Sequence, residues 1–220
     1  MSQAYVSSQT DRWGSLGEIF KVLSFSLIFS FLGALVGALF VPVSLVPLFL
    51  ILELIMIIAA VVMRMRNKRI GLTFLFSFTA VSGVTLYPIV FYYASTLGAQ
   101  LVAVAFATTA IVFGVLAVYA YQSARDFSYL GGFLFGGTIA LIVIGLVGLF
   151  LPFAGTFMDY VYTFGGVLIF IGWILYDISQ IRHGVAQEDV PLVVLNLYLD
   201  LVNLFLFVLR LLALLSGRRD

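Results

Sequence analysis

The sequence has no cysteine and a single histidine, His183, among its 220 residues. The first absence excludes structural disulfides, thiolate metal sites and cysteine nucleophiles, although it does not fix the redox compartment. The second leaves an all-protein zinc or haem centre without its usual ligands. Charge is scarce as well. Charged residues make up 10% of the chain, against about 25% in a soluble domain. A net charge of +1 offers no surface for nucleic acid. No lysine stands in the middle of an apolar stretch, since Lys21 and Lys68 both lie at the ends of theirs. That removes the Schiff-base anchor a retinal protein needs.

What is present is apolar. Hydrophobic residues account for 63% of the chain, including 22 Phe, 11 Tyr and 2 Trp, a load suited to lipid-facing helices and interfacial belts. The class is an integral membrane protein. The gaps between charges measure its spans: Val22–Leu52 is 31 residues without a charge, Ile70–Ala124 is 55, and Phe127–Met158 is 32. A crossing takes about 20 residues, so the longest gap holds two helices. The turn between those two is expected at Ser95–Gln100, and Pro42 and Pro47 bracket the break before the second helix. Seven spans result: Ile19–Phe40, Pro47–Met63, Ile70–Ala94, Ala99–Tyr121, Leu130–Leu151, Tyr160–Ile181 and Pro191–Leu215. The fold class is therefore all-α, a single seven-helix transmembrane domain over residues 1–220. The first 18 residues form a polar N-terminal segment without the features of a cleaved signal peptide, so the first helix is expected to be retained.

Lys and Arg in short loops set orientation. With the N-terminus in the cytoplasm, that side holds Arg12, Lys21, Arg64, Arg66, Lys68, Arg69, Arg125 and Arg182, whereas the loops near Val43, Gly98 and Gly155 hold none. Arg218 and Arg219 run against this bias if the last segment crosses fully, and a re-entrant segment would return them. The 25 residues of Pro191–Leu215 are long enough to span, which favours a crossing.

Ionisable side chains at bilayer depth cost about 2.5–3.5 kcal/mol on insertion scales, so each calls for a partner or a water path. Glu53 lies inside the second span and Arg64 eleven residues later at its end, on the same face but about 16 Å apart, too far to pair directly. Asp177 lies near the cytoplasmic end of the sixth span. On the seventh, Asn196, Asp200, Asn203 and Arg210 form one polar stripe. Such a stripe should face the bundle interior, which places the last helix at the centre with the other six around it. Packing explains Asn196 and Asn203 as supporting polar groups. It also accounts for the GxxxG spacings Gly33/Gly37 and Gly132/Gly136, while Pro88 is expected to kink the third span. Arg66, Lys68 and Arg69 read as interfacial anchors, and His183 as a solvated loop residue.

Two buried carboxylates at one depth, Asp177 and Asp200, are costly as mere glue. Held close, they cannot both ionise cheaply and titrate as a pair. A guanidinium such as Arg64 would favour the charged form, giving a bistable element with protonated and engaged states. Carboxylates are also hard oxygen ligands suited to Ca²⁺, so Asp177, Asp200 and Glu53 are candidates for transient Ca²⁺ contact. No tightly bound cofactor is expected. Tyr176-Asp177 resembles half of an intramembrane aspartyl protease site, but Leu197-Tyr198-Leu199 stands where the other half should read Gly-x-Gly before Asp200. A serine protease elbow, Gly-x-Ser-x-Gly, is missing too. An enzyme is not expected.

Leu175-Tyr176-Asp177-Ile178-Ser179-Gln180-Ile181, Asp189-Val190-Pro191 and Leu197-Tyr198-Leu199-Asp200-Leu201-Val202-Asn203-Leu204-Phe205 together resemble the C-terminal signature of the transmembrane Bax-inhibitor-motif family. Glu53 with Met56–Arg64, and Ser82-Gly83-Val84-Thr85-Leu86-Tyr87-Pro88-Ile89, are similar to its second and third helices. The resemblance covers nearly the whole chain, and the short termini look like the compact bacterial members, described as pH-sensitive calcium leak channels. It implies a central last helix, Asp177 and Asp200 as a di-aspartyl pH sensor, Arg64 as the switching cation and Glu53 on the ion path. The partners implied are the lipid bilayer, Ca²⁺ and H⁺, and the host is a bacterial plasma membrane. A non-conducting interaction protein and an H⁺/Ca²⁺ exchanger remain the alternatives.

Overall fold

A computed structural model describes residues 13–123, 125–151 and 157–216. Arg12, the Gly155 loop, Arg218 and Arg219, which enter the charge-bias reading, lie outside them. A two-residue strand, β1 (Trp13–Gly14), leads into helix α1 (Leu16–Phe40). Ser15 caps that helix by accepting a hydrogen bond from the Glu18 amide at 3.1 Å, which meets one of the orphan N–H groups of the first turn. There follow α2 (Val46–Met65), α3 (Leu72–Thr96), α4 (Ala99–Gln122), α5 (Gly131–Phe150), α6 (Phe157–Arg182), a second short strand β2 (Val185–Ala186) and α7 (Val190–Leu215).

All seven helices are long and apolar enough to cross a bilayer. Their bounds fall within a few residues of those expected from the charge gaps. Pro47 sits in the first turn of α2, where its missing N–H costs nothing. Helix α3 continues through Pro88, and the chain turns into α4 at Gly98, whose positive φ of 97° is a conformation glycine adopts freely. The last helix is unbroken over 26 residues, as a full crossing requires.

The chain divides into two compact units. One comprises Met1–Tyr92 with His183–Tyr198, the other Tyr93–Arg182 with Leu199–Asp220. Helix α7 contributes its first part to one and the remainder to the other. It is also the most buried of the seven, with 44% of its apolar window inside the protein against 11% for α2 and α5. This bears out the interior place expected from its polar stripe.

Within the first unit, α1 and α3 cross at small residues. A side chain at Gly33 would collide with the Ala80 carbonyl, and one at Gly83 with the Ser30 carbonyl, so the backbones touch. Gly37 likewise lies against Tyr87. Beside the crossing, Ser30 Oγ and the buried Tyr198 hydroxyl share a 2.8 Å hydrogen bond, and Phe78 meets the Tyr198 ring edge-on. The N-terminal segment is tied to the α6–α7 loop by antiparallel pairing of β1 with β2. Gln187 donates to Glu18 at 2.6 Å beside it. Arg69, in the α2–α3 loop, pairs with Glu188 and, at 3.4 Å, with Asp189. An even number of crossings separates these three segments, which must therefore share a membrane face.

In the second unit, α5 packs on α6 where Gly137 meets Ile169 and Gly172 meets Leu134. Trp173 satisfies its indole N–H on Thr138 at 2.8 Å. Phe207 of α7 lies between Tyr162 and Phe170 of α6 and fills the space left by Gly166. The second GxxxG spacing behaves differently from the first: Gly132 and Gly136 have open space where a Cβ would be. Close helix packing thus explains Gly33/Gly37 and not Gly132/Gly136.

Candidate functional site

Asp177 lies in the last two turns of α6, and Asp200 stands ten residues into α7. Both carboxyls are buried, at 9% and 6% exposure. The two carboxyls are close enough to interact. A hydrogen bond between two carboxyls needs a proton on one of them, since two carboxylates have only acceptors to offer. Asp200 Oδ2 is buried and has no hydrogen-bond partner among the described residues. A buried oxygen left in that state is costly unless protonated, hydrated or bound to a cation. Nearby, Ser179 turns its hydroxyl back onto the Tyr176 carbonyl at 2.7 Å.

The rest of the polar stripe on α7 divides in its partners. Asn203 donates to the Leu199 carbonyl of its own helix at 2.8 Å, a local satisfaction consistent with a supporting role. Asn196 is half-buried and belongs to the first unit. Arg210 meets a residue that sequence reading passed over, Asp159 in the first turn of α6. Its Nη2 and Nε lie 2.6 and 3.0 Å from one oxygen of Asp159. Asp159 is 3% exposed, and the guanidinium also sits 5.0 Å from the centre of the Tyr162 ring. Asp159 ends the long uncharged stretch before α6 and therefore reads in sequence as a span boundary. Its partner could be found only in three dimensions.

Glu53 and Arg64 lie in the first unit. Half-buried on α2, Glu53 accepts a 2.6 Å hydrogen bond from Thr85 of α3, so this acid meets a neighbouring helix as expected. Thr85 also reaches the Ser82 carbonyl at 2.8 Å. Arg64, in the last turn of α2, is exposed and forms no ion pair among the described residues. It borders a cavity of about 550 Å³ lined by Ala60, Arg64, Asn67, Lys68, Arg69, Ile70, Glu188, Asp189 and Leu192. His183 is exposed, as expected of a loop residue. Among the described residues, no three His, Asp or Glu side chains gather as a resident metal site.

Chemically, the Asp177–Asp200 contact can hold or release a proton, and it leaves one oxygen for water or a hard cation. A profile of the family described as inhibitor of apoptosis-promoting Bax1 matches residues 12–217. Bax inhibitor 1 of Schizosaccharomyces pombe is 32% identical over 216 residues, covering 94% of this chain and 78% of the yeast protein. An uncharacterized membrane protein of Vibrio cholerae is 33% identical over 62% of this chain and 61% of its own length. An uncharacterized protein of Helicobacter pylori is 39% identical over a shorter stretch, 37% of this chain and 36% of that protein. The chain thus spans between about a third and three fifths of the length of these two bacterial relatives. With seven membrane-spanning helices and a profile match across nearly its whole length, the chain belongs to the Bax-inhibitor family.

Proposed function

We propose that this protein is a passive Ca²⁺ leak whose open fraction is set by protonation of Asp177 and Asp200. The observation that carries the reading is the contact between the two buried carboxyls, with an oxygen of Asp200 left without a protein partner. Packing alone accounts well for Asp159, which is matched to a guanidinium, but poorly for two acids facing each other. When the pair loses its shared proton, two charges face each other in low dielectric and require a countercharge, which closes the path until protonation releases it. Ca²⁺ favours such oxygen ligands. Glu53 is assigned to the ion path and Arg64 to the countercharge of the ionised pair. The host is a bacterial plasma membrane, with the N-terminus and the basic loops in the cytoplasm.

The test is Ca²⁺ entry into sealed proteoliposomes containing wild type, Asp177→Asn, Asp200→Asn or Arg64→Ala. Flux that depends on pH in wild type and loses that dependence in both aspartate variants supports the gate. Flux driven only by an imposed proton gradient would mean exchange instead of leak. Absence of flux above empty vesicles, from folded protein, would leave a non-conducting interaction protein.

A further inference from the structure

The cavity at the end of α2 carries charge that the proposed gating does not account for. Three cations border it, but only Arg69 is matched, held by Glu188 and Asp189 of the α6–α7 loop. The side chains of Arg64 and Lys68 have no hydrogen bond or ion pair among the described residues. Their position is fixed: Arg64 occupies the last turn of a 20-residue helix that is about 30 Å long, the thickness of the hydrocarbon core. The chain then turns sharply through Asn67, whose φ of 53° is left-handed, and this returns Lys68 to the same opening. Below the charged rim, Ala60, Ile70 and Leu192 give the cavity an apolar floor, with Ala60 and Ile70 buried. Cations above and alkyl side chains below match an amphiphile at the boundary between headgroup and acyl chain.

We propose that this cavity is a binding site for the headgroup of an anionic phospholipid, whose phosphate is held between Arg64 and Lys68. A guanidinium offers forked N–H donors to phosphate oxygens and an ammonium adds a mobile second charge. Arg69 plays a different part: tied to two acids across the rim, it braces the α2–α3 loop against the α6–α7 loop and keeps the mouth in shape. The acids on that side favour a ligand placed toward Arg64 and Lys68. A free phosphate ion would use the two cations but leave the apolar floor unoccupied. The inference rests on the first unit alone and stands whether or not the protein conducts Ca²⁺, although Arg64 is shared with the proposed gate. For that reason the readout is lipid binding and not flux.

The experiment titrates the purified full chain in detergent with short-chain phosphatidylglycerol, short-chain phosphatidylcholine or inorganic phosphate, and reads bound ligand by native mass spectrometry. Phosphatidylglycerol should bind at least about tenfold tighter than phosphatidylcholine. That preference should be lost in Arg64→Gln/Lys68→Gln, and inorganic phosphate at equal concentration should not displace the lipid. Equal binding of the two lipids by wild type would overturn the proposal without reference to any variant. So would a preference that survives in the folded double variant, or displacement of the lipid by phosphate alone.

Discussion

Arg210 of α7 places Nη2 2.6 Å from Oδ1 of Asp159 on α6, and this pair divides the buried acids of the second unit into two kinds. Asp159 is neutralised by a guanidinium that also rests on Tyr162. Asp177 lies eighteen residues further along α6, about 27 Å away, and faces another acid. A matched ion pair holds helices together. Two facing carboxyls do so only with a shared proton or a countercharge between them.

The two partners of the matched pair should respond unequally to truncation. Arg210→Ala strands a carboxylate whose side chain is buried, at a cost of about 3–5 kcal/mol. Asp159→Ala strands an arginine that is 35% exposed, whose long stem can carry its charge toward water, so the loss should be smaller. Thermal unfolding in detergent, with the double variant included, measures the difference. Equal losses would contradict the burial asymmetry.

The crossing of α1 with α3 gives a second expectation. At Gly83 a methyl group would meet the Ser30 backbone, so Gly83→Ala should cost about 1–3 kcal/mol through overpacking. Gly132→Ala meets open space and removes a weak helix former, so it should be neutral or stabilising by up to about 1 kcal/mol. Both variants can be compared by the same melting assay.

Arg69 presents the opposite case. It pairs with two acids, but all three side chains are about half exposed, and such pairs contribute at most about 1 kcal/mol. Arg69→Ala should therefore leave the melting temperature nearly unchanged at moderate salt. A large loss would mean that the loop bracing matters to the fold as a whole.

Much of this arrangement was legible from residue order. Gaps between charges located seven helices because a bilayer admits few uncharged stretches of that length for any other reason. The stripe on α7 marked an interior helix, and its acid at Asp200 was matched to Asp177 by depth and by the family resemblance. Three things were not legible. Asp159 stood at the edge of a charge gap and so looked like a loop residue. Its partner could not be found by register either, since eighteen residues separate Asp159 from Asp177 on α6 but only ten separate Asp200 from Arg210 on α7. Thr85, the donor to Glu53, is one hydroxyl among many in apolar helices, and nothing in spacing distinguishes it. The two GxxxG spacings look alike as letters, and only the neighbouring helix decides which one is filled.

The roles of the facing acids separate from their structural contribution in Asp200→Asn. Asparagine keeps the size and can still hydrogen-bond Asp177, so the fold should survive with a shift of about 1 kcal/mol or less. The proton that couples the pair is removed nonetheless. A folded variant whose Ca²⁺ flux no longer follows pH is the expected result, and a stability loss with flux unchanged would assign the pair to packing.

The most direct measurement is Ca²⁺ influx into proteoliposomes carrying the wild-type protein, followed from about pH 8 to about pH 6. In the proposed gate Arg64 serves as countercharge to the ionised pair, so protonation removes the need for it and flux should rise as pH falls through this range. Protonation also weakens carboxylate ligands for Ca²⁺, and a decline at still lower pH is compatible with that. Flux that stays flat between the two limits, from protein shown to be folded and inserted, would contradict a proton-gated leak.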